Sequence, residues 1–498
     1  LITDDVWAHQ RYDYGYRDLT MHPLMISFCG VPYIDTRITF NSFIPKNLNT
    51  KISEKLVNHY LSKLSRYPKY HDKIEFEIVY SCYYLGLHDK LKELLDCGFN
   101  ENEITRIEFS LLELTNQIIN PEKGLYKEDI AKISLLEKNY SKIVQSDISI
   151  IDKIYWLIEE CKAYGTLPFA GVARAGFIAV QFLKSFVNIG MIDRKEYDAY
   201  MNSLDTVNRK MNRDLNKLYK GVLTKEEFLE TYGHIRPGTY DILSRRYDEA
   251  FDEYFDGNSM AELPKPEEVF SFSKEQMERM QLELEENGLG ITANELMVFI
   301  RESMEGREYL KFVFTKSVSK ILQLIGELGG RVGISEKDMA YLDISVVKRL
   351  YADLYTGDIK TVFEENIRAN RVQYQNAMQI KLPSIIVAPE DIYSFYLLGE
   401  EPNFITQKSI TSDLLVLDSS DGQDLKGKIV FIRAADPGYD FLFSKGIAGL
   451  VTQFGGANSH MAVRCAELAI PAVIGVGEQN YTEWSRYKKV TIDCLKKQ

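Results

Sequence analysis

The chain has 498 residues, of which 45% are hydrophobic, 12% aromatic and 27% charged, with a net charge of −12 and a pI near 5.3. This composition excludes a disordered chain, and the acidic balance argues against a protein that coats nucleic acid or an anionic membrane. At this length we expect two to four domains.

The six cysteines are scattered, with no CxxC pair and no zinc-site spacing, so we expect reduced, mostly buried thiols and no metal site. No basic-then-apolar leader opens the chain, and no apolar run approaches the ~18 residues that span a bilayer. We therefore expect a cytoplasmic protein that binds neither nucleic acid nor membrane. Because the chain starts at Leu1, we also expect that it is a fragment or a processed product.

The first 50 residues include the strand-like stretch "VPYIDTRITFNSFI", which fits a short sheet or extended packing. From about residue 51 to 375 the apolar residues lie three and four apart, which predicts a large α-helical body. Small residues in "GTLPFAGVARAGFIAVQFLKSF" (165 to 186) favour helices that approach closely. The helical pattern is clearest in "ITRIEFSLLELTNQIIN", "SLLEKNYSKIVQ", "KEQMERMQLELEENG" and "REYLKFVFTKSVSKILQLIGELGG".

Near residue 378 the pattern changes to short β-branched runs separated by Gly, Pro and Asp, which predicts a compact α/β domain. We therefore predict a multidomain protein, with a mainly helical domain at 1–378 and an α/β domain at 379–498. The stretch "RVQYQNAMQIKLP" (371 to 383) is the expected linker or hinge. The predicted strands lie in "PSIIVAP", "DLLVLD", "GKIVFIRAAD", "IAGLVTQF", "PAVIGVG" and "KVTIDC".

One of only seven histidines, His460, follows a glycine turn in "FGGANSHMAVRCAELAIPAVIG" (454 to 475). Gly455 and Gly456 predict a turn after a buried strand, and Asn458 or Ser459 is the expected helix N-cap. His460 would then lie in the first turn, where free backbone N–H groups and the helix dipole favour an anion. The same field favours the neutral imidazole, which is the form that attacks phosphorus.

Arg464 lies about one turn beyond His460 on the same face, where it could neutralise phosphoryl oxygens and be held by Glu467. The alternative is a buried histidine with a structural role at a tight strand-helix turn, which is what most isolated histidines are.

The segment resembles the phosphohistidine, or swivelling, domain of the phosphoenolpyruvate-utilising enzymes, which include phosphoenolpyruvate synthase, pyruvate phosphate dikinase and rifampicin phosphotransferase. The resemblance implies a β/β/α swivelling domain in which His460 carries a phosphoryl group. Two positions depart from the family pattern, since Asn458 stands where many members have Thr, and Arg464 precedes Glu467 by three residues. The matching residues are Gly455, Gly456, Ser459, His460, the helix to Glu467, Ile470, Pro471, Ala472, Val473 and Gly475.

Upstream, "RAADPGYDFLF" (433 to 443) resembles the family loop before the strand that leads to the histidine. Asp436 and Asp440 either orient His460 or cap a helix, and the sequence leaves both open.

A second polar loop lies in "YGHIRPGTYDILSRRYDE" (232 to 249) and resembles a stretch in the drug-binding domain of rifampicin phosphotransferase. His234 is the candidate base for an acceptor hydroxyl, and Arg236 and Arg245 are candidate phosphate ligands, with Asp241 between them. The alternative is a loop that locks two helices through Arg-Asp pairing.

Further arginines, Arg174, Arg301 and Arg307, together with Lys311, read first as a solvated basic face. If they converge with the loop, they form a pocket for an anionic or polyhydroxylated acceptor.

The family charges its histidine from an ATP-grasp domain or from a barrel that binds phosphoenolpyruvate, and this sequence shows neither. "GGRVG" (329 to 333) lacks the strand-loop-helix setting of a phosphate loop. The resemblance therefore implies that ATP and Mg²⁺ bind an ATP-grasp domain upstream of Leu1 or on another chain.

The expected activity is an ATP-dependent phosphotransferase of kinase or dikinase type, which passes phosphoryl through His460 to a small-molecule acceptor in the helical domain. The alternatives are a phosphocarrier or regulatory protein, a phosphoenolpyruvate-linked synthase-like enzyme, and a non-catalytic relative.

Overall fold

A computed structural model gives the fold and describes residues 6–71, 73–255, 270–352, 358–394, 402–417, 424–456 and 459–498. Helices and strands are numbered along the chain. The helices are α1 (Val6–Asp13), α2 (Thr36–Asn41), α3 (Thr50–Arg66), α4 (Ile74–Glu77), α5 (Leu87–Leu91), α6 (Glu101–Ile119), α7 (Leu125–Gln145), α8 (Ile150–Cys161), α9 (Leu167–Asn188), α10 (Arg194–Ser203), α11 (Val207–Tyr219), α12 (Lys225–Tyr232), α13 (Phe251–Tyr254), α14 (Lys274–Glu286), α15 (Ala293–Arg331), α16 (Glu336–Met339), α17 (Ile344–Ala352), α18 (Ile359–Ala377), α19 (Phe441–Ser444), α20 (His460–Glu467) and α21 (Gly477–Trp484). The strands are β1 (Met25–Phe28), β2 (Val31–Ile34), β3 (Asn403–Ile405), β4 (Ser409–Val416), β5 (Ile429–Ala434), β6 (Gly449–Phe454), β7 (Ala472–Ile474) and β8 (Lys489–Asp493).

The chain divides by packing into two compact units. The first unit contains Leu1–Val207, Glu268–Ser317 and Tyr341–Pro389, and the second contains Asn208–Glu267, Val318–Ala340 and Glu390–Gln498. This division follows packing, whereas the predicted boundary at 378 follows the change from helical to strand patterning. That boundary stays a prediction.

The first unit is helical, as the sequence predicts. Helix α6 shows why, because Asn100 and Glu103 form a capping box at its start and its apolar residues recur every three or four positions. The buried face of α6 belongs to a large core shared with helices along the whole unit. The buried residues of α6 are Ile104, Ile107, Ser110, Leu111, Leu114, Thr115, Ile118 and Ile119.

Helices α7 and α9 of this unit approach closely through small residues. A Cβ atom on Gly171 of α9 would lie 2.1 Å from an Asp129 carboxylate oxygen of α7. A Cβ atom on Gly165, in the π-helical turn just before α9, would lie 2.8 Å from Phe314 Cβ of α15. The close approach expected from the small-residue stretch at 165 to 186 is thus confirmed.

One helical stretch among the described residues is long and apolar enough to cross a membrane. It runs over Ile150–Asn188, continues through a π-helical turn at Lys162–Thr166, and has a mean hydropathy of 1.4 in its most apolar window. The expectation that no apolar run approaches this length was therefore too strict. However, 61% of that window is buried inside the protein, as in the core helix of a water-soluble fold.

Three local expectations differ from the structure of the first unit. Only Val31–Ile34 of the strand-like stretch is a strand, because Asp35 caps a helix that begins at Thr36. The expected linker at 371 to 383 begins as the last two turns of α18. Residues 383–388 form no strand, since Pro383 and Pro389 lack the N–H groups that a sheet uses, and Ile385 packs against the helical core instead.

The second unit contains a six-stranded sheet with the strand order β3-β7-β6-β5-β4-β8. The four central strands run parallel, while the two edge strands β3 and β8 run antiparallel to their neighbours. Strands β5, β6 and β7 are buried almost throughout, as expected for a parallel sheet covered on both faces. A mainly helical region followed by an α/β domain is the fold class that the sequence predicts.

Candidate functional site

The connection between β6 and α20 has a backbone that requires glycine. Gly455 has φ +133°, and a Cβ atom there would lie 2.7 Å from Ala435 Cβ. Gly475, at the end of β7, has φ +71°, and a Cβ atom there would lie 2.2 Å from the Gly455 carbonyl oxygen. The ends of three parallel strands therefore crowd together where the chain turns into α20.

Helix α20 begins at His460, as the sequence predicts, with Ser459 in the N-cap position and in an extended conformation. Ser459 makes no side-chain capping bond, and its buried Oγ has no hydrogen-bond partner among the described residues. The first N–H groups of a helix have no intrahelical partner, so α20 presents donors and a partial positive charge beside His460. Asn458 lies outside the described residues, as do the side chains of His460 and Glu467.

Arg464 of α20 has a buried side chain. Its Nε lies 3.7 Å from Oδ1 of Asp440, its guanidinium lies 5.5 Å from the centre of the Phe443 ring, and only 4% of its side chain is exposed. Asp440 is the residue before α19 and makes no capping bond with its side chain. Asp440 therefore pairs with Arg464. This pairing differs from both roles that the sequence left open for Asp440, which were to orient His460 or to cap a helix.

Thr452 is a supporting residue that the sequence analysis missed. Its hydroxyl accepts a hydrogen bond of 3.0 Å from the N–H of Gly475, and its carbonyl accepts one from Val476. The side chain is fully buried in β6 and ties the end of that strand to the turn after β7. A threonine inside an apolar strand was the available signal.

The polar loop at 232 to 249 is largely occupied by its own contacts. Arg236 is 4% exposed and donates to the carbonyl oxygens of Asp241 and Ile242 and to Ser319. Burial lowers the pKa of Arg236, and the nearby carboxylates of Glu249, Glu336 and Asp241 partly offset this effect. Arg245 pairs with Glu253 and donates to the Glu249 carbonyl.

The other two candidates of this loop are His234 and Asp241. His234 is 6% exposed, and the Asp241 carboxylate accepts a bond from the backbone of Leu243. The structure thus brings Arg236 and Asp241 together through a backbone carbonyl, while Arg245 faces α13. Their role at an acceptor site stays a prediction.

The same loop packs against the turn that carries Asp440. The Tyr247 hydroxyl donates a 2.9 Å bond to the Gly438 carbonyl, and Tyr254 packs on Phe441 with ring centres 4.9 Å apart. A Cβ atom on Gly438 would lie 2.0 Å from the Arg236 carbonyl oxygen. A chain of contacts therefore runs from the loop through Gly438 and Asp440 to Arg464, one turn beyond His460.

Arg174 was expected on a solvated basic face, and this expectation is wrong. Arg174 is 3% exposed and lies in the core of the first unit, 3.1 Å from Glu75. Arg307, by contrast, is partly exposed beside Glu308. Within the described ranges, no group of three His, Cys, Asp or Glu side chains is placed to hold a metal ion.

All six cysteines are described and none forms a disulfide. Four are buried, and burial raises the pKa of Cys161 to about 12 and the pKa of Cys465 further. The buried thiols are therefore neutral and unreactive.

Comparison with known proteins assigns the C-terminal segment. Residues 424–497 match the family model described as "PEP-utilising enzyme, mobile domain". No curated protein matches the chain. The C-terminal α/β segment is thus similar to the mobile domain of PEP-utilising enzymes over these residues.

Proposed function

We propose that this chain is a phosphotransferase that receives a phosphoryl group on His460 and delivers it to a small-molecule acceptor. The observation that carries the proposal is the position of His460 as first residue of α20, four residues after Gly456, in the segment that matches a mobile domain. An imidazole nitrogen at this point would attack the donor phosphorus, and the bond from phosphorus to its leaving oxygen would break.

The surroundings of His460 suit a phosphoryl group. The unpaired N–H groups of the first turn of α20 would receive phosphoryl oxygens, and the helix dipole stabilises their negative charge. The Ser459 hydroxyl, whose oxygen is not used in capping, supplies one further donor. In this role the backbone acts on the charge that develops during transfer.

Arg464 acts in this proposal as a positioning residue. Its pairing with Asp440 and its contact with Phe443 fix α20 against the turn at 437 to 441. Since a buried arginine paired with a carboxylate carries little net charge outward, its main effect is on where the helix begins relative to β6.

We place the acceptor beside the loop at 232 to 249 because that loop contacts Gly438 of the mobile domain. The loop arginines support this less, since the guanidinium groups of Arg236 and Arg245 are already bonded to oxygens of the protein. His234 remains the candidate base for the acceptor. ATP and Mg²⁺ would bind an ATP-grasp domain outside this sequence, and the protein would act in the cytoplasm.

The test is labelling with the upstream or partner donor domain present. The protein is incubated with ATP labelled at the β- or γ-phosphorus, or with labelled phosphoenolpyruvate, and the label is tested for acid lability and base stability. We expect label from ATP, absent in His460→Ala and present in His88→Ala, a histidine that is half exposed and paired with Glu108.

The position of the label separates the alternatives. Label from the γ-position indicates a kinase that releases ADP, and label from the β-position indicates dikinase-type cleavage to AMP. Label from phosphoenolpyruvate alone would support the synthase-like alternative. Label that persists in His460→Ala would contradict the proposal.

A further inference from the structure

Two arginines lie side by side in the helical unit, far in sequence from His460. Arg11 Nη2 and Arg174 Nη1 both donate to the same oxygen of Glu75, at 3.4 and 3.1 Å. The Arg11 and Arg174 side chains are 17% and 1% exposed, and Glu75 is 26% exposed. This cluster is not part of the mobile domain and has no role in the relay proposed above.

Among the described residues, the cluster holds two positive charges and one negative charge. Two guanidinium groups share one carboxylate, and the strongest charges acting on Arg11 are those of Arg174 and Glu75. Burial raises the pKa of Tyr16 and of Cys82 to about 12, so neither neighbour supplies an anion at neutral pH. A buried excess charge of this kind is costly unless an anion compensates it.

Several buried donors at this place have no acceptor among the described residues. Arg11 Nη1 and Arg174 Nε are two of them, and Arg174 still donates its Nη2 to the Ser81 hydroxyl. Gln10 Nε2 and Trp7 Nε1 are two more, on residues that are 3% and 7% exposed. Buried donors without acceptors are rare in folded proteins, because each one costs its full desolvation energy.

Three of these donors belong to residues on one side of α1. Trp7, Gln10 and Arg11 are spaced three and four residues apart, which places them on neighbouring positions of one helical face. Helix α1 packs on α9, which carries Arg174. Among the described residues, the aromatic rings of Tyr16, Phe43 and Phe177 also face the two guanidinium groups.

We propose that Arg11 and Arg174 bind one oxyanion, the carboxylate or phosphate group of a small molecule, between α1 and α9. The paired guanidinium groups supply fork-shaped donors that match the geometry of either group. Glu75 accepts a bond from each guanidinium group and holds the two groups side by side, and the aromatic rings keep water away from them. The ligand enters from the side of Arg11 and Glu75, where the cluster is partly exposed.

The test uses Trp7, which lies about one helical turn before Arg11 on α1. The chain has three tryptophans, so protein labelled with 5-fluorotryptophan gives one fluorine resonance each for Trp7, Trp156 and Trp484. Trp7→Phe assigns the first. Sodium phosphate and sodium acetate are titrated separately at constant ionic strength, with sodium chloride as the reference salt.

We expect a saturable shift of the Trp7 resonance with phosphate or with acetate, and the effective salt identifies the group. Arg11→Gln should weaken the apparent affinity about tenfold or more, because it removes charge-assisted bonds. Arg194→Gln, which removes an exposed arginine paired with Asp198, should leave the titration unchanged. Arg11→Lys keeps the charge without the fork and should weaken binding to an intermediate degree.

The proposal is overturned if neither salt moves the Trp7 resonance of the wild-type protein beyond the chloride reference. It is also overturned if Arg11→Gln, with unchanged Trp156 and Trp484 resonances, titrates like wild type. The wild-type titration tests the proposal without any substitution, so the test still holds if a variant fails to fold. His460→Ala should titrate normally, which separates this site from phosphoryl transfer.

Discussion

Arg464 and Asp440 form a buried ion pair, with 3.7 Å between Nε and Oδ1 and exposed fractions of 4% and 1% for the two side chains. The pair joins the helix that starts at His460 to the turn that contacts the polar loop. Such a pair contributes little to the free energy of folding, because the cost of removing both charges from water offsets their attraction. Removing one partner, however, leaves an uncompensated buried charge.

Asp440→Asn should therefore lower the free energy of unfolding by about 3–5 kcal/mol. Denaturant unfolding followed by the circular dichroism of the chain measures this change. The matched control is Asp252→Asn, which breaks an exposed pair with Lys225 and should cost no more than about 1 kcal/mol. Equal losses in the two variants would show that the Arg464 pair is not buried as described.

Ser459→Ala tests whether this serine serves chemistry or helix capping. Because its hydroxyl makes no capping bond, the substitution should change the melting temperature little. Ser149→Ala removes a hydroxyl that does form a capping box and should cost about 1 kcal/mol. Phosphoryl labelling of His460 should fall about tenfold in Ser459→Ala and stay normal in Ser149→Ala. A stability loss in Ser459→Ala without a labelling defect would assign this serine to capping.

Gly438→Ala tests the contact between the mobile domain and the polar loop. The new Cβ atom would meet the Arg236 carbonyl oxygen at 2.0 Å, so the backbone must shift at a cost of about 1–3 kcal/mol. Hydrogen exchange over residues 233–248 should become faster. Gly330→Ala, where nothing lies within 4 Å, is the control and should leave this exchange unchanged. Unchanged exchange in Gly438→Ala would mean that the loop does not depend on this turn.

Ala469→Gly should stabilise the protein. Ala469 follows the end of α20 with φ +52°, and the N–H of Ile470 bonds back to the Cys465 carbonyl, as at helix ends that favour glycine. Relief of the left-handed backbone should raise the free energy of unfolding by about 0.5–1 kcal/mol. Ala466→Gly, three residues earlier within the helix, should lower it by about 1 kcal/mol. Thermal unfolding of both variants gives the two signs, and a loss in both would contradict the described end of α20.

The part of the site that could be predicted from the sequence is the part made by neighbouring residues. The run "GLVTQF" and Ser459 specify a strand and a helix start locally, and the structure has β6 and the start of α20 where predicted. The long helices were predictable for the same reason, since their apolar period is local.

Contacts between residues distant in sequence could not be predicted. Asp440 pairs with Arg464 across 24 positions, and Arg236 reaches Ser319 across 83, so their partners follow from packing alone. Arg174 looked like a surface cation because its burial depends on Glu75 and Ser81, which belong to another part of the chain. The expected hinge proved to begin as helix, since α18 continues to Ala377.

Phosphoramidate tests most directly whether His460 accepts phosphorus, because this small donor phosphorylates nucleophilic imidazoles without a donor domain. Phosphorus NMR of the treated chain, with the modified site mapped by mass spectrometry at alkaline pH, gives the result. We expect a phosphohistidine resonance that maps to His460, disappears in His460→Ala and survives in His88→Ala. A chain that stays unmodified at His460 while other histidines react would contradict it.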